Sequence, residues 1–229
     1  MTKKSIAKNM PSSRAAPPTA AAKAVLDVAE QLAQMRGYNG FSYADIAAQL
    51  GVTKASLHYH FPSKAELGRA LIERYRAVFE SALKAIDQSA SDPRDKLRRY
   101  VALYESVLSN ERMCLCGMLA AEYATLPPPM QKGLRSFFDA NERWLTTVLD
   151  AGLGVGVLQF EDSANERARM LLGALEGAML VARSYGEPRR FHAAAERMLA
   201  DIGAGVGPAQ RKAPRVSAAR RRSASTGPM

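Results

Sequence analysis

Two cysteines, one tryptophan and three histidines in 229 residues leave little material for a metal centre and none for a disulfide framework. Cys114 and Cys116 are the only thiols, a count that suits a reducing cytoplasm rather than a secreted scaffold. No run of 18 apolar residues occurs, so the sequence offers no membrane span. The N-terminus has charges but lacks the unbroken apolar stretch of a secretory signal. Strand-like alternation is weak throughout. Ala, Leu, Glu and Arg dominate between Gly and Pro punctuation, which predicts an all-α chain of about nine helices. Also missing are a Gly-rich phosphate loop, a nucleophile elbow and paired metal ligands. These absences argue against an enzyme and imply no cofactor.

Acidic residues are absent from both ends. Residues 1–23 carry Lys3, Lys4, Lys8, Arg14 and Lys23, and residues 204–229 carry Arg211, Lys212, Arg215, Arg220, Arg221 and Arg222. The 180 residues between them hold 21 bases and 22 acids, so the net charge of +10 lives in two arms around a balanced body. The arms are rich in Ala, Pro, Ser and Gly and have little to bury, which predicts disorder at 1–18 and 205–229. An N-terminal arm of this kind can lie along phosphates and steepen the salt dependence of DNA binding.

What the sequence does have is concentrated in residues 42–61, SYADIAAQLGVTKASLHYHF. The stretch reads as two short helices joined by a tight turn. Ile46, Leu50, Val52 and Leu57 supply the apolar contacts, and Ala47 lets the helices approach closely. Gly51 stands where the chain leaves the first helix with positive φ, and Ser42 and Thr53 stand at N-cap positions. The second helix then offers Lys54, Ser56, His58, Tyr59 and His60 to solvent, while Phe61 closes the module from inside. Such a unit places a helix in the major groove of DNA.

The run Ile46-Ala47-Ala48-Gln49-Leu50-Gly51-Val52, followed by Leu57-His58-Tyr59-His60-Phe61 and Lys64, resembles the DNA-binding segment of the TetR family of bacterial transcriptional repressors. The resemblance covers roughly residues 24–70. Two positions depart from the family pattern: His58 where Tyr is usual, and Ala44 where a polar residue often reaches DNA. The resemblance implies a cytoplasmic dimeric repressor with a helix-turn-helix domain at 19–66 and a helical effector-binding and dimerisation domain at 67–204. The DNA-contacting set it suggests is Ser42, Tyr43, Lys54, Ala55, Ser56, His58, Tyr59, His60 and Lys64. Within it, Lys54 and Ser56 are placed for base edges and Lys64 for a phosphate. A second class of function, a non-specific nucleic-acid-binding protein driven by the basic arms, fits the charge distribution alone.

The rest of the chain reads as helices. The first carries Val25, Val28, Ala29, Leu32 and Met35; the fourth carries Leu67, Leu71, Tyr75, Val78, Phe79, Ala82 and Ile86. Asp92-Pro93 opens the fifth, the sixth is expected from about Arg112 to Ala124, and the seventh ends at Gly152. The eighth is apolar on two faces, a Leu stripe and a row of small residues at Gly173, Ala174, Gly177 and Ala178. Two buried faces need two partners, which predicts a homodimer through the helices around 162–185 and 188–203.

A small-molecule effector is expected in the body. Tyr100, Tyr104, Cys116, Met118, Tyr123, Phe138, Asn141, Trp144 and Met179 are the aromatic, soft or singly polar residues suited to a pocket. Glu122 can pair a cationic ligand or cap structure. Cys114, expected near a helix start and beside Arg112, is a candidate electrophile sensor because both features favour a thiolate. Metal binding is not expected: His58 and His60 lie two residues apart on a helix and point to opposite sides.

Overall fold

The computed structural model describes residues 19–203; the basic arms expected at 1–18 and 205–229 lie outside the described residues. Among the described residues there are nine α-helices, one short 3-10 turn and no strand. No helix among them is long and apolar enough to cross a membrane.

Helix α1 (Ala20–Arg36) starts at Thr19, whose side chain accepts from the Ala22 N–H, and buries Val25, Leu26, Ala29 and Leu32. Met35, expected on that stripe, is exposed in the last turn. Helix α2 (Tyr43–Leu50) opens with a capping box in which Ser42 and Asp45 satisfy each other's ends. It ends at Gly51, which adopts the left-handed φ of 65°. Helix α3 (Lys54–His60) is capped by Thr53, which accepts from the Ser56 N–H. Ile46 and Leu57 are sealed inside, as the spacing requires. Val52, expected among those contacts, is instead 42% exposed, because the turn after Gly51 carries it outward.

Helix α4 (Lys64–Ser89) runs unbroken through the domain boundary expected at 66–67. Its buried face is Leu67, Leu71, Ile72, Tyr75, Phe79, Leu83 and Ile86. Val78 falls at the edge of that face and is exposed, with Leu83 continuing the stripe. Arg74 ties α4 to α1 through Asp27, Glu30 and the Leu26 carbonyl. Any rotation of α4 is therefore felt by the module.

The body consists of α5 (Pro93–Leu108), α6 (Leu115–Ala121), α7 (Pro128–Gly154), α8 (Ala164–Ser184) and α9 (Pro188–Asp201). Asp92 caps α5 with Pro93 in the first turn, and Ser163 with Glu166 forms a capping box for α8. Helix α6 is shorter than expected. Glu111 takes a positive φ of 57°, and the Met113 N–H donates to the Gln34 carbonyl on α1, so residues 112–114 are loop. The far end tightens into a 3-10 turn at Tyr123–Thr125 ahead of the prolines. Helix α8 packs against both α7 and α9, burying Ala168, Leu171, Leu172, Leu175, Met179 and Ala182.

Candidate functional site

Helix α3 is a solvent-facing rod. Of its seven residues only Leu57 is buried; Lys54, Ala55, Ser56, His58 and Tyr59 are exposed, and His60 is half-buried. Tyr59 is 85% exposed, a large aromatic left in water with no core to serve. The Ser56 hydroxyl lies 3.2 Å from that of Thr53, so the cap also orients it. His58 packs on Tyr43 with ring centroids 4.6 Å apart and points Nδ1 at the Pro62 carbonyl.

Three residues of the expected DNA-contacting set have other work. Tyr43 is buried, its hydroxyl donating to the Phe61 carbonyl at 2.7 Å, so it braces the turn after α3. Burial pushes its phenol up to about 12. Lys64 turns inward, donating to the Phe41 carbonyl and lying 4.6 Å from the ring centres of both Tyr38 and Phe41. Desolvation lowers its pKa, and the phosphate contact expected of it is not open in this arrangement. The Ser42 hydroxyl is engaged by the Ala44 N–H and by Asp45.

The body grips the module at two points, one through Glu122, which the sequence offered as a possible structural cap, and one through Arg183, which it did not advertise. The Glu122 carboxylate accepts from the backbone N–H groups of Tyr38 and Asn39, in the loop between α1 and α2. Asn39 adds a bond from its side-chain amide to the Thr125 hydroxyl at 2.8 Å. At the end of α8, the Arg183 guanidinium donates to the Gln34 and Met35 carbonyls, the last turn of α1. These are helix C-terminal carbonyls without intrahelical partners, where a cation is favoured. Both grips bridge residues more than eighty positions apart.

The expected effector set does not line one open cavity. Tyr100, Tyr104 and Asn141 are sealed in a hydrogen-bonded chain: the Tyr hydroxyls lie 3.0 Å apart, and Tyr100 donates to Asn141 Oδ1 at 3.1 Å. Burial pushes both phenols far above their ordinary value. Trp144 stacks on Tyr100 and donates its N–H to Asp87 at 3.0 Å. Cys116 and Met179 are core, and Met118 and Phe138 are half-buried. Tyr123 lies at the surface beside Arg135, outside the core. A cavity of about 10 Å³ between α5, α7, α8 and α9 is bounded by Tyr100, Leu145, Leu175 and Leu199, room for about one water.

The sensor expectation for Cys114 is corrected. The residue is 1% exposed, and burial together with the nearby Glu176 carboxyl raises its pKa well above normal. Arg112 lies two residues away in the loop, and burial and the Glu176 carboxyl outweigh any thiolate stabilisation there. The thiol is held neutral. Glu176 itself was missed by sequence reasoning. It lies between Leu175 and Gly177 on α8, and on a helix that also carries Glu166, Arg167, Arg169 and Arg183 a single further acid reads as a surface residue. Its carboxyl oxygens are instead buried without a hydrogen-bond partner, and desolvation raises its pKa to about 7.

Residues 25–71 match the family described as bacterial regulatory proteins, tetR family. A TetR-family transcriptional regulator of known structure from Agrobacterium tumefaciens is 36% identical, with 79% of this chain and 96% of that one covered at a TM-score of 0.77. A TetR transcriptional regulator from Legionella pneumophila is 30% identical over 81% and 98% of the two chains, with a TM-score of 0.74. The transcriptional regulator AcuR of Cereibacter sphaeroides is 27% identical over 164 residues, 69% of this chain and 74% of its own length. The chain belongs to the TetR family of bacterial transcriptional regulators, proteins that act by binding DNA rather than by catalysing a reaction.

Proposed function

We propose that this protein is a cytoplasmic repressor that binds a palindromic operator as a homodimer and leaves it when a small molecule enters the body. The observation that carries the reading is α3: a capped helix with a single buried residue, presenting Lys54, Ser56, His58 and Tyr59 on one module of a much larger helical body. In this reading Lys54 and Ser56 meet base edges. Ala55, His58, Tyr59 and His60 meet thymine methyls or phosphates.

Dimerisation is supported by the second face of α8. Met170, Leu180 and Val181 are between 41% and 52% exposed, and side chains added at Gly173 or Gly177 would meet nothing within 4 Å. Helix α9 contributes less, since Arg189, His192 and Arg197 face outward. A two-fold axis through α8 would place two α3 helices for successive major grooves, about 34–36 Å apart. Release is supported by the grips of Glu122 and Arg183, through which movement of α6 or α8 reaches α1.

The test is a gel-shift titration of the full chain against DNA upstream of its own gene and against scrambled DNA of equal length. The reading expects a preference of at least about a thousandfold, with one dimer per site. Equal affinity for the two probes would sink it.

A further inference from the structure

We propose that Glu176 is the recognition group of an effector site for small organic cations, protonated amines received between α8 and α6. This rests on the effector-released reading above and names the chemistry of its ligand. Glu176 is half-buried as a residue, but both its carboxyl oxygens are buried and lack a partner with hydrogen-bond geometry. The Cys114 thiol is near enough to favour the carboxylate, but the contact falls short of hydrogen-bond geometry and a thiol is a weak donor, so the carboxyl is left poorly satisfied. An uncompensated buried carboxyl is costly, so its retention in such a core calls for a partner that arrives from outside.

The surroundings select the partner. Tyr75 of α4, Tyr100 and Tyr104 of α5, Cys114 at the start of α6 and Cys116 within it all feel the Glu176 charge. Burial keeps the phenols and thiols neutral, so they offer aromatic faces and no competing charge. A carboxylate among tyrosine rings suits an ammonium group and opposes an anion. Gly117 of α6 lies directly over the carboxyl, so a Cβ there would press on Oε2 and push the end of the Glu176 side chain aside. A ligand at Glu176 must therefore displace α6, and α6 leads within one residue to Glu122 and its hold on the module.

The experiment is calorimetric titration of the full-length protein with benzylammonium, butylammonium and tetramethylammonium chlorides. Benzyl alcohol and benzoate serve as neutral and anionic counterparts. At least one ammonium is expected to saturate at pH 8, the two counterparts are not, and Glu176→Gln should weaken the ammonium at least about tenfold. Binding should also weaken as pH falls below about 7 in the parent chain and stay flat in Glu176→Gln. Gly117→Ala, which intrudes on the carboxyl seat without touching its charge, should likewise weaken binding. A melting scan of each variant confirms folding. The proposal is overturned if no ammonium saturates, if Glu176→Gln binds equally well, or if benzoate binds best. A gel shift with and without the ammonium separates the two readings. Glu176-dependent binding that leaves operator affinity unchanged removes release but keeps the site. Specific DNA binding with no ammonium response removes the site and keeps the regulator.

Discussion

In the DNA-binding module the polar side chains that close the helices are answered close by in the chain: Ser42 by Asp45, Thr53 by Ser56, Ser63 by Glu66. In the body the deepest polar groups find partners on other helices, as Tyr100 does with Asn141 forty-one residues away, or find none, as with Glu176. The module thus closes its own helix starts and works through its surface, while the body holds it through the grips of Glu122 and Arg183 and the α4 helix they share. Both regions bury an orphan polar atom among the described residues, but the module's is the neutral amide oxygen of Gln34, whereas the body's is the ionisable carboxyl of Glu176, on which a charged ligand can act. Local closure suits a part that must hold one shape on DNA, and an unsatisfied buried carboxyl suits a part that must change.

The contrast can be broken from either side. The largest expected effect is Ile46→Ala, which empties a fully buried site in the module and should cost about 2–5 kcal/mol in chemical denaturation. A cost near zero would mean that the module core is not where it is drawn. Glu176→Met should act in the opposite direction. A carboxyl raised from 4.5 to about 7 in the folded state costs almost nothing below pH 4.5; its penalty grows as pH rises from 4.5 to about 7 and is constant above that. The variant should therefore gain on the order of 3 kcal/mol over the parent at pH 8 and little at pH 4.5. A gain independent of pH would refute the assignment.

Smaller effects test the joint between the regions. Glu122→Gln weakens acceptance from two backbone amides, and about 1–2 kcal/mol of local stability should go with it. Faster hydrogen exchange at Tyr38 and Asn39, with the α7–α8 amides unchanged, is the readout. Gly51→Ala should cost about 1 kcal/mol for its left-handed φ alone, because an added methyl meets nothing within 4 Å. A much larger loss would indicate a hidden clash. Least of all on folding, Tyr59→Ala should shift stability by under about 0.5 kcal/mol while weakening specific DNA binding. Unchanged affinity in a gel shift would remove Tyr59 from the interface.

The legibility of the sequence follows the same division. Caps and the Gly51 turn were readable because they depend on neighbours a few residues away. The apolar stripe of α8 was readable because its period is fixed by helix geometry. Lys64 and Tyr43 were misassigned because residue type at a helix start suggests exposure, while a carbonyl at Phe41 or Phe61 draws each inward. The start of α6 was placed too early because no local signal announces the reversed φ of Glu111.

The amino-acid order alone determined an all-α chain, the caps at Ser42, Thr53 and Asp92 and a helix-turn-helix offered to solvent, since these arise from short-range sterics, hydrogen bonding and apolar period. Only the tertiary structure decided that Glu176 lies inside, that Cys114 is a sealed neutral thiol, and that Glu122 and Arg183 hold the module to the body. Burial and long-range partnership depend on how separate helices meet, and no single helix carries that information.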